Sequence, residues 1–317
     1  MFYFSNLNFA SKFVMQELLF FKDVLEKSLD TNIVLKEPRH LYTPIDYILS
    51  LGGKRLRPVL TLMTCDFFEE DYKKALPAAM AVELFHNFSL IHDDIMDEAP
   101  LRRGKETVHK KWDINTGILS GDAMLILAYQ YFESYEPHLF QELAKLFSKT
   151  ALEVCEGQQY DVDFEDRNDV TVEEYLKMIE FKTAVLLGAA MKMGAMVAHA
   201  TEKNKEGIYD FGRNLGIAFQ LQDDYLDAFG NPETFGKQVG GDILANKKTY
   251  LYLTAIQYAS EKETAVLKNL FQTKNETAAQ KVELATTIFK SLEAVSLSAN
   301  KKEKLYEFAR NLMQRVV

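Results

Sequence analysis

The chain has 317 residues, and 47% of them are hydrophobic, so the composition permits a large buried core. The formal net charge of −9 at pH 7 argues against a nucleic-acid partner, because binding to a phosphate backbone requires concentrated Lys and Arg. No linker rich in Pro, Gly or Ser divides the chain. We therefore expect a single domain over residues 1–317.

The cysteines and the apolar segments bear on the cellular compartment. Cys65 and Cys155 are the only cysteines, and we interpret them as buried free thiols in a reducing cytoplasm. The first 13 residues lack a basic region followed by a continuous apolar core, so we expect no signal peptide. Glu83, Asp122 and Lys192 interrupt the most apolar segments. These features predict a cytoplasmic protein without an integral membrane segment.

Apolar residues recur every three to four positions along the chain, and only 7 prolines occur, which predicts an all-α fold. We find no strand-like alternation of useful length. The predicted helices cover, in chain order, residues 6–28, 41–51, 56–70, 77–98, 115–134, 138–163, 172–200, 205–230, 248–259, 261–271, 276–293 and 299–315.

A basic loop, residues 52–57, separates two of these helices and reads Gly-Gly-Lys-Arg-Leu-Arg. Its glycines allow the backbone to approach a ligand, and its three cations could hold a phosphate group. The alternative is a helix C-cap whose basic residues complement the helix dipole.

A first acidic motif, Asp93, Asp94 and Asp97, stands at the end of the apolar predicted helix 77–98. Asp93 and Asp97 share a helical face, with Asp94 about 100° around the helix. Carboxylates about 4 Å apart repel by roughly 4 kcal/mol at an effective dielectric constant near 20, so they must be solvated, protonated or metal-bound. Oxygen donors without a neighbouring Cys favour Mg²⁺ over Ca²⁺ or Mn²⁺ and argue against zinc.

Mg²⁺ keeps most of its waters and shares oxygens with bound phosphates, so an incomplete carboxylate site indicates a phosphorylated ligand. Arg102 and Arg103 follow the motif, and their guanidinium groups match phosphate oxygens. His86 precedes Asp93 by seven residues and therefore lies on the same helical face. A solvated acidic helix end remains the alternative for this stretch alone.

A second acidic motif repeats the spacing as Asp223, Asp224 and Asp227 within another apolar helix. Gln220 lies three residues before Asp223 on the same side of that helix. If the two motifs face each other on central antiparallel helices, they could hold Mg²⁺ ions around one diphosphate.

The sequence resembles the trans-isoprenyl diphosphate synthases, or polyprenyl synthetases, over nearly its whole length. The matching fragments, in chain order, are Gly52 to Pro58, His86 to Asp97, Arg102-Arg103-Gly104, Gly157-Gln158, Lys182-Thr183, Phe219 to Asp227, Gly236-Lys237 and Asn246-Lys247. The resemblance implies the isoprenoid synthase type I fold, a bundle of antiparallel helices around a central cavity. It also implies a homodimer.

The resemblance further assigns roles to residues. Isopentenyl diphosphate would bind, without metal, to Gly53, Lys54, Arg57, His86 and Arg103. The allylic diphosphate would bind to Arg102, Lys182, Thr183, Gln220, Lys237 and Lys247. About three Mg²⁺ ions, with Mn²⁺ as a substitute, would bind Asp93, Asp97 and Asp223, with Asp94, Asp224 and Asp227 in supporting positions. Together with the allylic-site residues, Asp93, Asp97 and Asp223 form the expected catalytic set.

The implied reaction is head-to-tail transfer of a prenyl group from an allylic diphosphate to isopentenyl diphosphate. Product length should depend on residues beneath the first acidic motif. Ser89 is small and lies near the face of Asp93, Phe85 is bulky and lies near the same line, and the resemblance places Phe88 at the tail cavity. This pattern is similar to synthases that make C15 to C20 products, and we favour C20.

Three alternative functions have distinct sequence signatures. A class I terpene cyclase usually has an Asn/Ser/Glu second metal motif, whereas this chain repeats the aspartates. A non-catalytic subunit of a heteromeric synthase generally loses one acidic motif. A di-iron bundle needs Glu and Glu-x-x-His ligands at matched depths, which we do not find.

Overall fold

The computed structural model describes residues 2–32, 36–230, 240–271 and 281–287. Its helices are α1 Phe2–Asn32, α2 Arg39–Ser50, α3 Leu56–Phe67, α4 Leu76–Met96, α5 Val108–Lys111, α6 Ile114–Phe132, α7 Pro137–Asp166, α8 Val172–Ile179, α9 Val185–Val197, α10 Glu202–Phe229, α11 Gly241–Leu244, α12 Tyr250–Tyr258 and α13 Glu261–Leu270. A 3₁₀ turn, Tyr72–Ala75, precedes α4, and a π-helical turn, Glu180–Ala184, joins α8 to α9. The strands β1 Leu101–Arg102 and β2 Lys105–Glu106 pair antiparallel.

The described residues form two units, the first within Met1–Thr150 and Leu186–Gly212 and the second within Ala151–Val185 and Arg213–Val317. Helices α7 and α10 therefore contribute residues to both units. A single domain over the whole chain stays a prediction.

In the first unit, α4 packs against α1, α2, α3 and α6. This helix is apolar around most of its circumference, so it must be buried on several sides. Two glycines of α6 allow close approach to the end of α4: a Cβ on Gly117 would meet Ile95, and one on Gly121 would meet the ring of His92. The carboxyl end of α4, which carries the first acidic motif, is thereby fixed against α6.

The second unit has a core of its own, in which Tyr175, Ile179, Tyr252 and Phe271 are buried. Helix α8 begins with a capping box, because Thr171 and Glu174 each accept a hydrogen bond from the backbone N–H of the other. Helix α12 packs against both α8 and α13. These contacts hold α8 and the π-helical turn that follows it in place.

The predicted all-α class is confirmed, and the predicted helices up to residue 271 correspond to observed helices within a few residues at most ends. Only residues 281–287 of the predicted helix 276–293 are described, and they are helical. The predicted helix 299–315 lies outside the described residues. The interpretation of Cys155 as buried is wrong, because its side chain is exposed, while Cys65 is buried. In the described part of the chain, no helix has both the length and the apolar character needed to cross a bilayer.

The contact between α9 and α3 gives a prediction for stability. A Cβ on Gly194 would collide with the carbonyl oxygen of Thr61, and the backbone of α3 cannot yield as a flexible side chain can. We expect Gly194→Ala to lower the free energy of unfolding by about 2 kcal/mol. Gly207→Ala on α10 is the control, because a Cβ there meets no atom within 4 Å, and it should raise stability by about 0.5–1 kcal/mol. Urea denaturation measures the free energy of unfolding of both variants. Equal changes in the two variants would contradict the close contact of Gly194 with Thr61.

Candidate active site

The basic loop and the segment after α4 meet through Arg103. Gly52 and Gly53 have φ angles of 74° and 133°, which favour glycine. The guanidinium of Arg103 donates a hydrogen bond to the carbonyl oxygen of Gly52. A Cβ on Gly53 would lie 2.7 Å from that guanidinium. The missing side chain of Gly53 therefore leaves the space that Arg103 occupies.

Arg57 and His86 also lie together, with Arg57 Nη1 and His86 Nε2 3.2 Å apart. A guanidinium only donates, so Nε2 accepts and the imidazole is neutral with its proton on Nδ1. Burial lowers the pKa of His86 well below its ordinary value, and the charges of Arg57 and Arg103 lower it further. The same positive potential favours an anion at this position. Lys54 lies exposed on the same loop.

The first acidic motif divides into one buried and two more accessible carboxylates. Asp94 is buried and accepts hydrogen bonds of 2.6 to 2.9 Å from Nε and Nη2 of Arg102. Asp93 is partly exposed, and Asp97, which caps α4, is exposed. Arg102, expected to bind a diphosphate, is thus already bonded to a carboxylate of the motif.

A short hairpin positions the two arginines that follow the motif. Arg102 pairs with Lys105 across the β1–β2 ribbon. The connecting residues Arg103 and Gly104 both have positive φ, 53° and 74°, as in a type I′ turn. The turn directs Arg103 to the basic loop, while Arg102 bonds to Asp94.

The expected chain-length residues lie on α4, N-terminal to the first acidic motif. Phe85 is fully buried, with its ring centroid 5.2 Å from that of Phe147 and 5.5 Å from that of Phe88. Phe88 makes an edge contact with the ring of His92. Ser89 donates a hydrogen bond to the carbonyl oxygen of His86.

The second unit contains a cavity of about 250 Å³ lined by acidic, basic and apolar side chains. Its sequence-predicted lining residues are Lys182, Thr183, Gln220, Asp223, Asp224 and Lys247. The described residues of this unit that were expected at the site therefore all line the cavity except Asp227. Asp227 instead bonds to Asp242, which lines it. Lys237 lies outside the described residues.

The π-helical turn Glu180–Ala184 contains Lys182 and Thr183, which are both expected to bind the allylic diphosphate. Lys182 Nζ is 2.5 Å from Asp161 Oδ2. Thr183 Oγ1 is 3.4 Å from Gln220 Oε1. Gly157 allows this arrangement, because a Cβ there would collide with the backbone of Lys182. Turns of this kind occur frequently at functional sites.

Asp224 is one of the two buried carboxylates of the second motif. It accepts hydrogen bonds from the Tyr175 hydroxyl, from Gln220 Nε2 at 3.2 Å and from the backbone N–H of Tyr250 at 3.4 Å. Burial nevertheless raises the pKa of Asp224 to about 6, because desolvation outweighs these bonds. Asp223, by contrast, is partly exposed.

The loop after the second motif is tied to Asp227, which is buried. Asp227 Oδ2 accepts a hydrogen bond of 3.0 Å from the backbone N–H of Asp242. Burial and the nearby charge of Asp227 raise the pKa of Asp242 to about 7. The backbone of Lys247 donates to the carbonyl of Asp242, and Lys248 Nζ donates to the carbonyl of Glu165. Lys247 is thereby held at the cavity.

The donors suit magnesium. Both motifs lie in the last turns of long helices, where the dipole disfavours carboxylates and favours a cation. Asp94, Asp224 and Asp227 have internal partners, which fits their expected supporting positions. Among the residues described, no three His, Cys, Asp or Glu side chains converge on one metal position. Mg²⁺ needs few protein ligands when water and phosphate oxygens complete its shell.

Several residues that line the cavity were not predicted from the sequence, and those with the side-chain contacts or pKa shifts described above are Asp161, Tyr175, Asp242 and Lys248. Two of them had a usable signal. Asp161 follows Gln158 by three residues, and Tyr175 precedes Lys182 by seven, so helical periodicity places each near an expected residue. Asp242 lies in the four-residue helix α11, and Lys248 lies in the segment between α11 and α12; both elements are too short for periodicity to give such an indication.

Comparisons with known proteins identify the family. The polyprenyl synthetase family model matches residues 38–289. A geranylfarnesyl diphosphate synthase of Natronomonas pharaonis is 36% identical over 303 residues, covering 90% of this chain and 89% of its own. A geranylgeranyl diphosphate synthase of Methanosarcina mazei is 40% identical over 235 residues, covering 74% and 72%.

Solved structures give the same result. A crystal structure of a geranylgeranyl pyrophosphate synthase is 52% identical, with a TM-score of 0.85 over 94% of this chain and 98% of that one. The geranylgeranyl pyrophosphate synthetase of Pyrococcus horikoshii is 32% identical, with a TM-score of 0.84 over 94% and 92%.

The fold and these relatives define an all-α trans-prenyltransferase of the isoprenoid synthase type. The chain belongs to the polyprenyl synthetase family. It is an enzyme of isoprenoid biosynthesis with a short-chain product, in a family that is generally Mg²⁺-dependent.

The neutral state of His86 predicts a pH dependence of stability. Its native pKa is lowered, so below about pH 6.5 the unfolded chain binds a proton that the native protein does not. The contribution of His86 to the free energy of unfolding is fully present above about pH 6.5. It is lost as the pH falls below that value, by at most about 1.4 kcal/mol per pH unit. His86→Gln should reduce the loss between pH 7 and 5, measured by urea denaturation. His138→Gln, at an exposed position, is the control, and equal slopes in wild type and His86→Gln would contradict the assignment.

Proposed function

We propose that this protein condenses isopentenyl diphosphate with an allylic diphosphate, head to tail, to give an all-trans prenyl diphosphate of C20. One observation carries the proposal: each acidic motif stands at the carboxyl end of a long helix and has its second aspartate buried on internal partners. The more accessible aspartates of the two motifs are the expected metal ligands: Asp93, Asp97 and Asp223. Cationic side chains near each motif provide a binding site for a diphosphate.

The allylic diphosphate binds through Lys182 and Lys247 at the cavity of the second unit and through Arg102 and Lys237. These cations neutralise the leaving group as its C–O bond breaks and the electron pair departs with the diphosphate. Thr183 and Gln220, whose oxygens lie 3.4 Å apart, supply oxygen dipoles that would stabilise the allylic cation. Their effect is larger in the transition state than in the bound ester, which is the requirement for catalysis.

Isopentenyl diphosphate is held by Lys54, Arg57, His86 and Arg103, with Gly53 leaving the space that the Arg103 guanidinium occupies. The neutral imidazole of His86 donates from Nδ1, while Arg57 and Arg103 provide charge. The isopentenyl double bond attacks the allylic cation and forms the new C–C bond. The new cation formed by this addition then loses a proton to the released diphosphate, so no side chain has to act as the base. Water must be excluded, because it would quench the cation.

Mg²⁺ would be held by Asp93, Asp97 and Asp223, with Asp94, Asp224 and Asp227 supporting. About three ions are expected with substrate, and Mn²⁺ can substitute. When bound, the ions offset the negative charge of the allylic diphosphate. The bonds of Arg102 to Asp94 and of Tyr175 to Asp224 keep the supporting carboxylates oriented.

Asp93→Asn and Asp223→Asn test the function. Each keeps the size of the side chain but removes its charge, and we expect kcat/KM to fall more than about 100-fold, or about 2.7 kcal/mol. The assay combines protein, Mg²⁺, isopentenyl diphosphate and allylic primers, and follows diphosphate release and product length. Asp23→Asn, at an exposed position on α1, should retain activity.

Three outcomes of that assay would contradict the proposal. Full activity in a chelated, metal-free sample would exclude the metal-assisted reaction. Primer consumption without isopentenyl incorporation would indicate a terpene cyclase. No turnover by the wild type with any primer would indicate a non-catalytic subunit.

Product length is tested by Phe85→Ala and Phe88→Ala. Both side chains lie on α4, N-terminal to the first acidic motif, and their rings are neighbours. Removing either ring would enlarge the space for the growing prenyl tail. We expect products longer than C20, by about one or more C5 units, resolved by chromatography. An unchanged product in both variants would remove these residues from length control.

We further propose a homodimer in the cytoplasm. Leu119 and Ile126 are seven residues apart on α6, each 59% exposed, and form an apolar face that a second copy would cover. The double substitution Leu119→Glu and Ile126→Glu should convert dimer to monomer in sedimentation velocity, whereas Tyr258→Glu on α12 should not. A monomeric wild type would contradict the proposal, and cell fractionation tests the compartment.

A further inference from the structure

Arg55 is the least exposed of the three cations in the basic loop. It is 6% exposed, whereas Lys54 beside it is exposed. Its backbone has φ 51°, in the left-handed region that is uncommon for arginine. Its guanidinium donates to Glu83 Oε1 and to the carbonyl oxygen of Leu49. Arg55 therefore joins the end of α2 and the start of α3 to α4.

Glu83, its partner, is 1% exposed and is fixed on α4. Asn87 Nδ2 donates to Glu83 Oε1 at 2.7 Å and to the Glu83 carbonyl oxygen at 2.8 Å. His86 follows Glu83 by three residues and lies on the same side of the helix. The carboxylate that holds Arg55 is thus one turn from the imidazole that contacts Arg57.

Glu83 also acts electrostatically on the neighbouring cations. Burial lowers the pKa of Arg57 and of Arg103, and the charge of Glu83 opposes that effect in both. Glu83 is therefore a buried counter-charge near three arginines that approach one another. Without such a charge, their mutual repulsion would favour separation.

We infer that Arg55 and Glu83 are a positioning pair that sets the spacing of Lys54, Arg57 and His86 for isopentenyl diphosphate. The inference rests on the proposed function. Neither side chain touches the substrate: Arg55 lies between Lys54 and Arg57 in sequence, and its bonds to α2 and α4 fix the backbone that carries both. An error of about 1 Å in such a site costs much of its binding or rate.

Two charge-conserving substitutions isolate the geometry. Arg55→Lys keeps the cation, but an ammonium cannot reproduce the planar fork that reaches both Glu83 and Leu49. Glu83→Asp keeps the anion but shortens its reach by one methylene. Both should raise KM for isopentenyl diphosphate about tenfold or more, while kcat and KM for the allylic substrate change less than about threefold. Calorimetric titration of isopentenyl diphosphate without metal should show the same loss of affinity.

Leu25→Ala on α1 is the stability-matched control, since it removes a fully buried side chain away from the basic loop. A wild type that does not incorporate isopentenyl diphosphate would overturn the proposed function. If the wild type is active, two results would overturn only the positioning role. In one, the KM for isopentenyl diphosphate and the KM for the allylic substrate change alike in the variants. In the other, the variants match Leu25→Ala. If Arg55→Lys does not fold, Glu83→Asp decides the question by the same comparison.

Discussion

The repulsion between carboxylates at helix carboxyl ends is the constraint on which this structure depends. The chain places three aspartates in the last turns of α4 and three in the last turns of α10, where the dipole is unfavourable for each. Arg102 compensates Asp94, Tyr175 and Gln220 bond to Asp224, and a backbone N–H bonds to Asp227. These partners orient half of the carboxylates. The others are partly or fully exposed, where cations can approach them.

Close backbone contacts hold the functional groups in place. Gly157 allows α7 to lie against the π-helical turn that carries Lys182 and Thr183, and Gly53 leaves space for Arg103. In both cases a missing side chain, rather than an added contact, defines the position of a cation. This explains why glycines recur beside the charged residues of the chain.

Much of the fold followed from helical periodicity and the scarcity of proline, since amphipathic spacing repeats through most of the chain. The acidic motifs were recognisable because their spacing is repeated. The partners of those residues were harder to predict, because pairs such as Arg102 with Asp94 depend on a six-residue hairpin whose strands are too short for a strand pattern. Asp242 contacts Asp227 from the four-residue helix α11, and Arg55 contacts Glu83 from a left-handed backbone; neither contact has a periodic signal in the sequence. The exposure of Cys155 was missed because free cysteines are usually buried, although Glu153 and Glu156 lie close to it in the sequence.

The most direct test of the central claim is a crystal structure with Mn²⁺ and an unreactive thiolo analogue of the allylic diphosphate, with the ions located by anomalous scattering. The account predicts Mn²⁺ peaks bound by Asp93 and Asp97 and a further peak bound by Asp223, all sharing oxygens of one diphosphate. Peaks confined to one motif, or a diphosphate bound without metal contact to either motif, would contradict it.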